Sequence, residues 1–306
     1  MEPILCVESF SKSYGSIKAI DDISFKIYPG EIFALLGPNG AGKTSTLECI
    51  EGIRKTSNGK ITIDGVNPEK EFFKVKKILG VQLQTSALPE VITVKEAMKM
   101  FCLYSKTEIR YDLLEKFNLM DKGNTQFGKL STGQQRKLVL AIALSHNPKL
   151  LILDEPTAGL DVSTRVMFHN IMREEKNKGT AILLASHDMN EVEDLADNVA
   201  ILLKGKIAAL GTPRDIITSG KSLIKVFVKT KYSSASSLKL TQGFKMEQKD
   251  DYTVFYCEDI EELLFIILRH IKDSKDKLLD LKVERASLEE RFIDITGGGK
   301  PYESNN

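Results

Sequence analysis

The stretch Gly37-Pro38-Asn39-Gly40-Ala41-Gly42-Lys43-Thr44 follows the spacing G-x-x-x-x-G-K-[S/T], a pattern suited to cradling phosphate oxygens. Gly37, Gly40 and Gly42 let main chain approach an oxyanion where side chains would collide. Lys43 is placed to reach β- and γ-phosphates, and the Thr44 hydroxyl to ligate Mg²⁺. Ser45, next along, is grouped with the loop as a nucleotide-binding residue. Such a loop needs a strand before it and a helix behind it. Glu31 to Leu36 is apolar and strand-like, and Thr44 to Ile53 reads as a helix. Turn and helix N-terminus then aim backbone N–H groups at one spot. The loop implies a nucleoside triphosphate, without saying what its energy drives.

Leu150-Leu151-Ile152-Leu153-Asp154-Glu155 describes a buried strand delivering two carboxylates to the carboxyl edge of a sheet, where α/β proteins bind ligands. Asp154 would hold Mg²⁺, and Glu155 would polarise the water attacking a γ-phosphate. Taken alone, the same residues describe a strand ending in a solvated acidic turn. Leu130-Ser131-Thr132-Gly133-Gln134 precedes a helical run from Gln135 to Ser145. Ser131 and Gln134 have the form of a capping box, with Pro148 beyond the helix end. By itself this is a well-capped surface helix; its N-terminus is also an anion site.

The surrounding pattern is that of an α/β protein. Leu150 to Leu153 and Ala181 to Ala185 are short aliphatic runs, as expected of parallel strands buried on both faces. Ile20 to Ile27 and Lys60 to Asp64 read as strands, and residues 88–148 as predominantly helical, with Val94, Met98, Phe101 and Ser105 on one face. Val199 to Leu203 and Lys206 to Leu210 form a closing hairpin at Lys204-Gly205. Composition changes near Gly211-Thr212-Pro213. Beyond it, strands at Leu223 to Val228, Tyr252 to Tyr256 and Lys277 to Val283, with helices at Glu261 to Ile271 and Leu288 to Ile295, make a small α+β domain. The tail from Gly297 is expected to be disordered.

Composition sets the bounds. The 306 residues carry 43 basic and 42 acidic side chains, a net charge of +1, which offers no electrostatic footprint for nucleic acid. Four scattered cysteines (Cys6, Cys49, Cys102, Cys257) suit free thiols in a reducing cytosol. The N-terminus lacks a basic and apolar leader, so no signal peptide is expected. The longest apolar runs, Leu138 to Leu144 and Leu263 to Leu268, are too short to cross a bilayer. Action at a membrane would need a partner.

The phosphate loop, the Leu-Ser-x-Gly-Gln segment and Leu-Leu-Ile-Leu-Asp-Glu-Pro occur in the order and spacing of the ATP-binding subunits of ABC transporters, and the chain resembles that family from residue 4 to about 215. The resemblance implies a P-loop NTPase with a RecA-like core, an antiparallel β subdomain and a helical signature subdomain at about 88–148. It divides the chain into an ATP-binding domain (1–215), a C-terminal domain (222–296) and a tail (297–306). It places Tyr14 on adenine, Gln84 in the Q-loop with metal and water, His187 as the switch histidine beside the γ-phosphate, and Asp161 in the D-loop. Gln82 competes with Gln84, because strand alternation puts both on one face; family spacing selects Gln84. Tyr14 and His187 also read as ordinary packed side chains. Ser131, Gly133 and Gln134 would complete the γ-phosphate site of a second ATP-binding subunit, in a head-to-tail dimer of like or unlike chains. The other implied partner is a polytopic membrane permease, with the chain peripheral at the cytoplasmic face of the cell membrane and ATP and Mg²⁺ as cofactors. The helical face at Val94 and Met98 reads first as core packing; by the resemblance, its position after Gln84 is where the family docks its membrane subunit, with no specific residue assigned. Thr132 departs from the family by replacing the first glycine of Leu-Ser-Gly-Gly-Gln, and tolerance is expected because Ser131 and Gly133 remain. Ser287-Leu288-Glu289-Glu290-Arg291-Phe292-Ile293-Asp294-Ile295-Thr296-Gly297 resembles the closing segment of drug- and sodium-exporting ATPases, which points to an exporter over an importer. A soluble relative acting on nucleic acid or ribosomes would carry two cassettes or a coiled-coil insertion, and the chain has neither.

Overall fold

The computed structural model describes residues 1–84, 88–219, 224–238, 245–257, 259–284 and 287–297. Residues 298–306 of the expected tail, and Leu223 at the start of an expected strand, lie outside them. The chain divides into two compact units, Met1–Pro213 and Arg214–Asn306.

In chain order the first unit contains β1 (Leu5–Tyr14), β2 (Ile17–Ile27), β3 (Ile32–Leu36), α1 (Lys43–Ile50), β4 (Asn58–Ile63), α2 (Phe72–Val75) and β5 (Leu79–Gln82). The helices α3 (Val94–Ser105), α4 (Tyr111–Lys116) and α5 (Thr132–Leu144) come next. It closes with β6 (Leu150–Asp154), α6 (Val162–Asn177), β7 (Ala181–Ala185), α7 (Met189–Leu195), β8 (Asn198–Leu203) and β9 (Lys206–Gly211).

Every residue of β3 and β7 is buried, as are the first four of β6. Strands covered on both faces lose the polar positions that mark alternation and read as unbroken aliphatic runs. They form the centre of a six-stranded sheet of order β5-β6-β7-β3-β8-β9, parallel except for the last pair. Register sets the functional edge. Leu153 of β6 lies opposite Gln82 of β5 and Leu184 of β7, while Leu35 of β3 lies opposite Ala185. Four parallel strands therefore end side by side, and the loops leaving them meet at one edge of the sheet.

A second, antiparallel sheet of order β2-β1-β4 shares its core with the first. Leu5, Val7, Ile23 and Ile61 from it cluster with Phe33 and Leu183 of the parallel sheet and with Leu47 and Ile50 of α1. The Phe25 ring stacks on Phe33, with centroids 5.0 Å apart. The helix behind the phosphate loop is thus anchored by apolar contact rather than by propensity. It stops at Ile50, short of the expected Ile53, because Gly52 turns the chain at φ 76°.

The helical region opens with a capping box. Thr93 Oγ1 accepts from the Glu96 N–H (3.3 Å) and Glu96 Oε2 accepts from the Thr93 N–H (2.9 Å). The buried stripe of α3 is Val94, Ala97, Met98 and Cys102. It is rotated from the expected face, leaving Phe101 and Ser105 half-buried.

In the second unit, α8 (Pro213–Thr218), which spans the division, is followed by β10 (Ile224–Thr230), β11 (Lys245–Lys249), β12 (Tyr252–Cys257), α9 (Ile260–Asp273), β13 (Leu278–Glu284) and α10 (Leu288–Thr296). The antiparallel order is β11-β12-β10-β13. Leu263, Ile267 and Ile271 of α9 pack with Val226, Val228 and Phe255 of the sheet. β11 was not foreseen. It is an edge strand with all five residues exposed, and without a buried face no hydrophobic alternation develops.

Leu183 lies at the centre of the parallel sheet, fully buried between β3 and β6. Leu183→Ala is expected to destabilise the first unit by about 3 kcal/mol, read as a lowered urea midpoint; an unchanged midpoint would contradict this account of the core.

Candidate nucleotide site

The loop between β3 and α1 is shaped by its glycines. Gly42 has φ 109°, and a Cβ there would lie 2.3 Å from Ile20 Cδ1. At Gly37 a Cβ would meet the Leu202 carbonyl oxygen at 2.5 Å. The loop is pinned against β8 and its turn, with the Gly205 N–H donating to the Ala41 carbonyl (3.1 Å). No side chain fits between loop and support, so only glycine allows this path.

A cavity of about 480 Å³ opens over the loop. Gly37, Pro38, Asn39, Gly40, Gly42, Lys43, Thr44 and Ser45 line it together with Gln84, Asp154, Glu155 and His187. The carboxyl ends of β3, β5, β6 and β7 thus each contribute. Lys43 curls back and its Nζ donates to the Gly37 carbonyl at 2.5 Å. Burial lowers the pKa of Lys43, against the opposing pull of Glu155 and Asp154. Burial and then the Glu155 charge raise that of Asp154, with Lys43 working the other way. A phosphate chain would give Lys43 its counter-charge, and a divalent cation would do the same for Asp154. The Thr44 hydroxyl, the Gln84 amide oxygen and the Asp154 carboxylate are all oxygen donors, as Mg²⁺ requires. Among the described residues no cluster of three His, Cys, Asp or Glu could hold a metal. These donors therefore fit an ion shared with phosphates.

Glu155 is the strained member. It has φ 48°, a left-handed conformation unusual for a side chain of this kind. Its N–H donates to the Ala185 carbonyl (2.8 Å), and its own carbonyl accepts from the Arg136 guanidinium of α5. Held on both sides, its carboxylate is 8% exposed and contacts His187 Nδ1 at 2.7 Å. An acid so placed can accept a proton from water.

The remaining expected residues lie outside the cavity. Ala41 is buried beneath the loop. Tyr14, on the rim, donates from its hydroxyl to Ser45 Oγ (3.2 Å), with Lys12 Nζ 4.9 Å and the Arg54 guanidinium 5.5 Å from its ring centre. Ser131, Gly133 and Gln134 open α5, where Ser131 Oγ accepts from the Gln134 N–H (3.3 Å) and Gln134 Oε1 from the Ser131 N–H (3.0 Å). Asp161 caps α6 by accepting from the Thr164 N–H (2.9 Å), and its hydrogen bonds to Ser163 and Thr164 lower its pKa well below the usual carboxylate range. One expectation needs correction. Gln82 and Gln84 do not share a face, because β5 ends at Gln82, whose side chain is buried while that of Gln84 is exposed into the cavity. Arg136 and Glu51 are among the residues that escaped the sequence reading. Arg136 lies two residues beyond Gln134, and its bond to the Glu155 carbonyl spans separate elements. Glu51 looks like an ordinary acid at a helix end, yet it is buried, and its Oε1 has no hydrogen-bond partner among the described residues.

The ABC transporter family model matches residues 20–158. The linearmycin resistance ATP-binding protein LnrL of Bacillus subtilis is 32% identical over 310 residues, covering 96% of this chain and 98% of that protein. The chain belongs to the ABC transporter ATP-binding proteins. The Nod factor export ATP-binding protein I of Rhizobium etli is 37% identical over 71% of each chain. Among solved structures, cbiO1 from Clostridium perfringens, part of the ABC transporter complex cbiONQ, matches with TM-score 0.64 and 28% identity, covering 71% of this chain and 92% of that one. The chain is therefore an ATP-hydrolysing ABC subunit with the P-loop NTPase fold, including its antiparallel β subdomain. Among its described residues no helix is long and apolar enough to cross a membrane.

Burial, reinforced by the charges of Asp154 and Glu48, pushes the Glu51 carboxyl up to about 7. From the ordinary carboxylate range up to that value the folded chain keeps a proton that the unfolded chain releases. Stability therefore falls as pH rises through this window, and above about 7 the folded state carries the full cost of a buried charge. Glu51→Gln is expected to raise stability by on the order of 2 kcal/mol at pH 8 and to change it little near pH 5. Urea titrations of the full chain at both pH values measure this, and equal differences at the two would refute it.

Proposed function

We propose that this ABC subunit powers an exporter, closing head to tail on a second ATP-binding subunit and driving a separate membrane permease from the cytoplasmic face of the membrane. The observation that carries the hydrolytic part is the Glu155–His187 contact of 2.7 Å beside Lys43 and Asp154. Lys43 and the loop N–H groups hold the β- and γ-phosphates, while Tyr14 offers its ring to the base. Thr44, Gln84 and Asp154 would hold Mg²⁺, which would supply charge neutralisation to the phosphates. Glu155 orients and deprotonates the attacking water, and His187 reads the γ-phosphate. Ser131, Gly133 and the α5 N-terminus, which lie outside this cavity, serve the nucleotide of the partner subunit. Asp161 lies at the same junction. ATP then joins the two subunits until Glu155 hydrolyses it, so chemistry becomes closing and opening.

Export is supported by relatives named for linearmycin resistance and Nod factor export and by the Ser287 to Gly297 segment. A permease partner is supported by the membership of cbiO1 in a cbiONQ complex and by exposed aromatic side chains on two adjoining helices of this chain. Phe73 of α2 (75% exposed) and Tyr104 of α3 (63%) face solvent. Lys76 Nζ lies 4.4 Å from the Phe72 ring centre and 5.7 Å from that of Tyr104, so α2 and α3 adjoin there. Exposed aromatics grouped in this way suit a partner's amphipathic segment.

Glu155→Gln is expected to bind ATP, lose at least about 100-fold in kcat and accumulate an ATP-dependent dimer on size exclusion. Near-normal turnover would remove Glu155 from its role. Phe73→Glu with Tyr104→Glu should abolish co-purification of a polytopic membrane protein while ATP binding persists. Retention of that partner would place docking elsewhere.

A further inference from the structure

We infer that Glu191 is a positioning residue that clamps the loop carrying Glu155 to the loop carrying His187. The inference rests on the hydrolytic roles proposed for those two residues. Glu191 lies in the first turn of α7 and is 2% exposed. Its Oε1 accepts from Thr157 Oγ1 at 2.7 Å and contacts His169 Nε2 of α6 at 3.2 Å. Its Oε2 accepts from Ser186 Oγ at 2.8 Å. Thr157 and Ser186 are themselves buried. Thr157 follows Glu155 by two residues, and Ser186 immediately precedes His187. One carboxylate therefore joins the chain leaving β6 to the chain leaving β7.

The local backbone explains why such a clamp is needed. Glu155 rests at φ 48°, a left-handed conformation less favourable than the right-handed region. The bond from its N–H to Ala185 holds one side of it. Beyond that bond the two loops have no shared ladder, because β6 ends at Asp154 and β7 at Ala185. The Thr157–Glu191–Ser186 bridge is the next connection. Glu191 is in turn locked to the His187 loop: its N–H donates to Asp188 Oδ1 (3.1 Å), and the Asp188 N–H donates to Ser186 Oγ (3.1 Å). The clamp thus sets the separation of the two loops, and with it the 2.7 Å between Glu155 Oε2 and His187 Nδ1.

The choice of residue agrees with this role. Burying a carboxylate costs far more than burying an apolar side chain, and donors from three elements are needed to offset it. For packing alone, a leucine would serve. A buried acid that accepts hydroxyls from two different loops specifies their relative position, and a fully satisfied polar network does so rigidly. Glu191 touches no reacting atom itself.

The test uses the purified full-length chain. Glu191→Gln and the near-isosteric Thr157→Val, which removes a single donor, are each expected to lower kcat about three- to tenfold with KM for ATP within about twofold of wild type. In a His187→Ala background, Glu191→Gln should lower kcat by less than about twofold, because the geometry it protects is already lost. In histidine-labelled protein, the nitrogen chemical shifts of His187, assigned by their loss in His187→Ala, should show the Nδ1 environment changing in both clamp variants. Should Glu191→Gln fail to fold, Thr157→Val carries every measurement. Unchanged kcat and unchanged His187 shifts in folded Thr157→Val overturn the clamp, as do equal fold-losses from Glu191→Gln in the wild-type and His187→Ala backgrounds. Either result with Glu155→Gln still inactive condemns the clamp alone; an active Glu155→Gln condemns the hydrolytic reading beneath it.

Discussion

The site depends on charge delivered to the end of a strand that has no contact with water. Four buried residues of β6 precede Asp154 and Glu155, so both carboxylates leave the sheet interior with little solvent to stabilise them. Asp154 responds with a raised pKa and Lys43 with a lowered one. Each partly neutralises the other, but neither is relieved. A polyanion with a bound cation resolves both at once, which is how an uncharged alternative ligand would be refused. Lys43 meanwhile donates to the Gly37 carbonyl, a neutral acceptor that a phosphate oxygen outcompetes. In the proposed site, selectivity for a metal-bound triphosphate would then arise from desolvation as much as from matching hydrogen bonds.

That arrangement is held by backbone that few residues could adopt. Gly42 must pass beneath Ile20, and Gly37 beneath the Leu202 carbonyl. Glu155 has no such excuse, since its Cβ is present and its φ is positive. It stays there because Ala185 and Arg136 fix its N–H and its carbonyl. The parallel sheet is the rigid body behind these bonds. Locally unfavourable conformations are affordable at its edge because the buried centre supplies stability in excess.

The sequence discloses the parts of this design that are local. The phosphate loop, the aliphatic runs of β6 and β7, and the capping box at Ser131 each occupy a few consecutive residues with a physical signature, and each lies where it was expected. Gln82 and Gln84 show the limit: alternation predicts one face, but the strand stops between them, and its end is set by pairing with β6 rather than by local residues. β11 has no buried face and so no pattern. Arg136, Glu51 and Glu191 are invisible for a different reason. An arginine or glutamate on a helix reads as solvated unless the element that covers it is known, and Glu191 becomes meaningful only when α6, α7 and two strand ends converge.

Helix α5 ties these observations together. Its first N–H groups are satisfied by Ser131 and Gln134 side chains at 3.3 and 3.0 Å, both in exposed bonds. Such bonds exchange readily with water or an anion, so a phosphate arriving there displaces little. Two residues beyond Gln134, Arg136 donates to the carbonyl of Glu155. In the proposed dimer the N-terminus of α5 meets one nucleotide while its Arg136 steadies the glutamate that acts on the other. A displacement of α5 by either nucleotide would then reach the backbone of a residue already held in an unfavourable conformation.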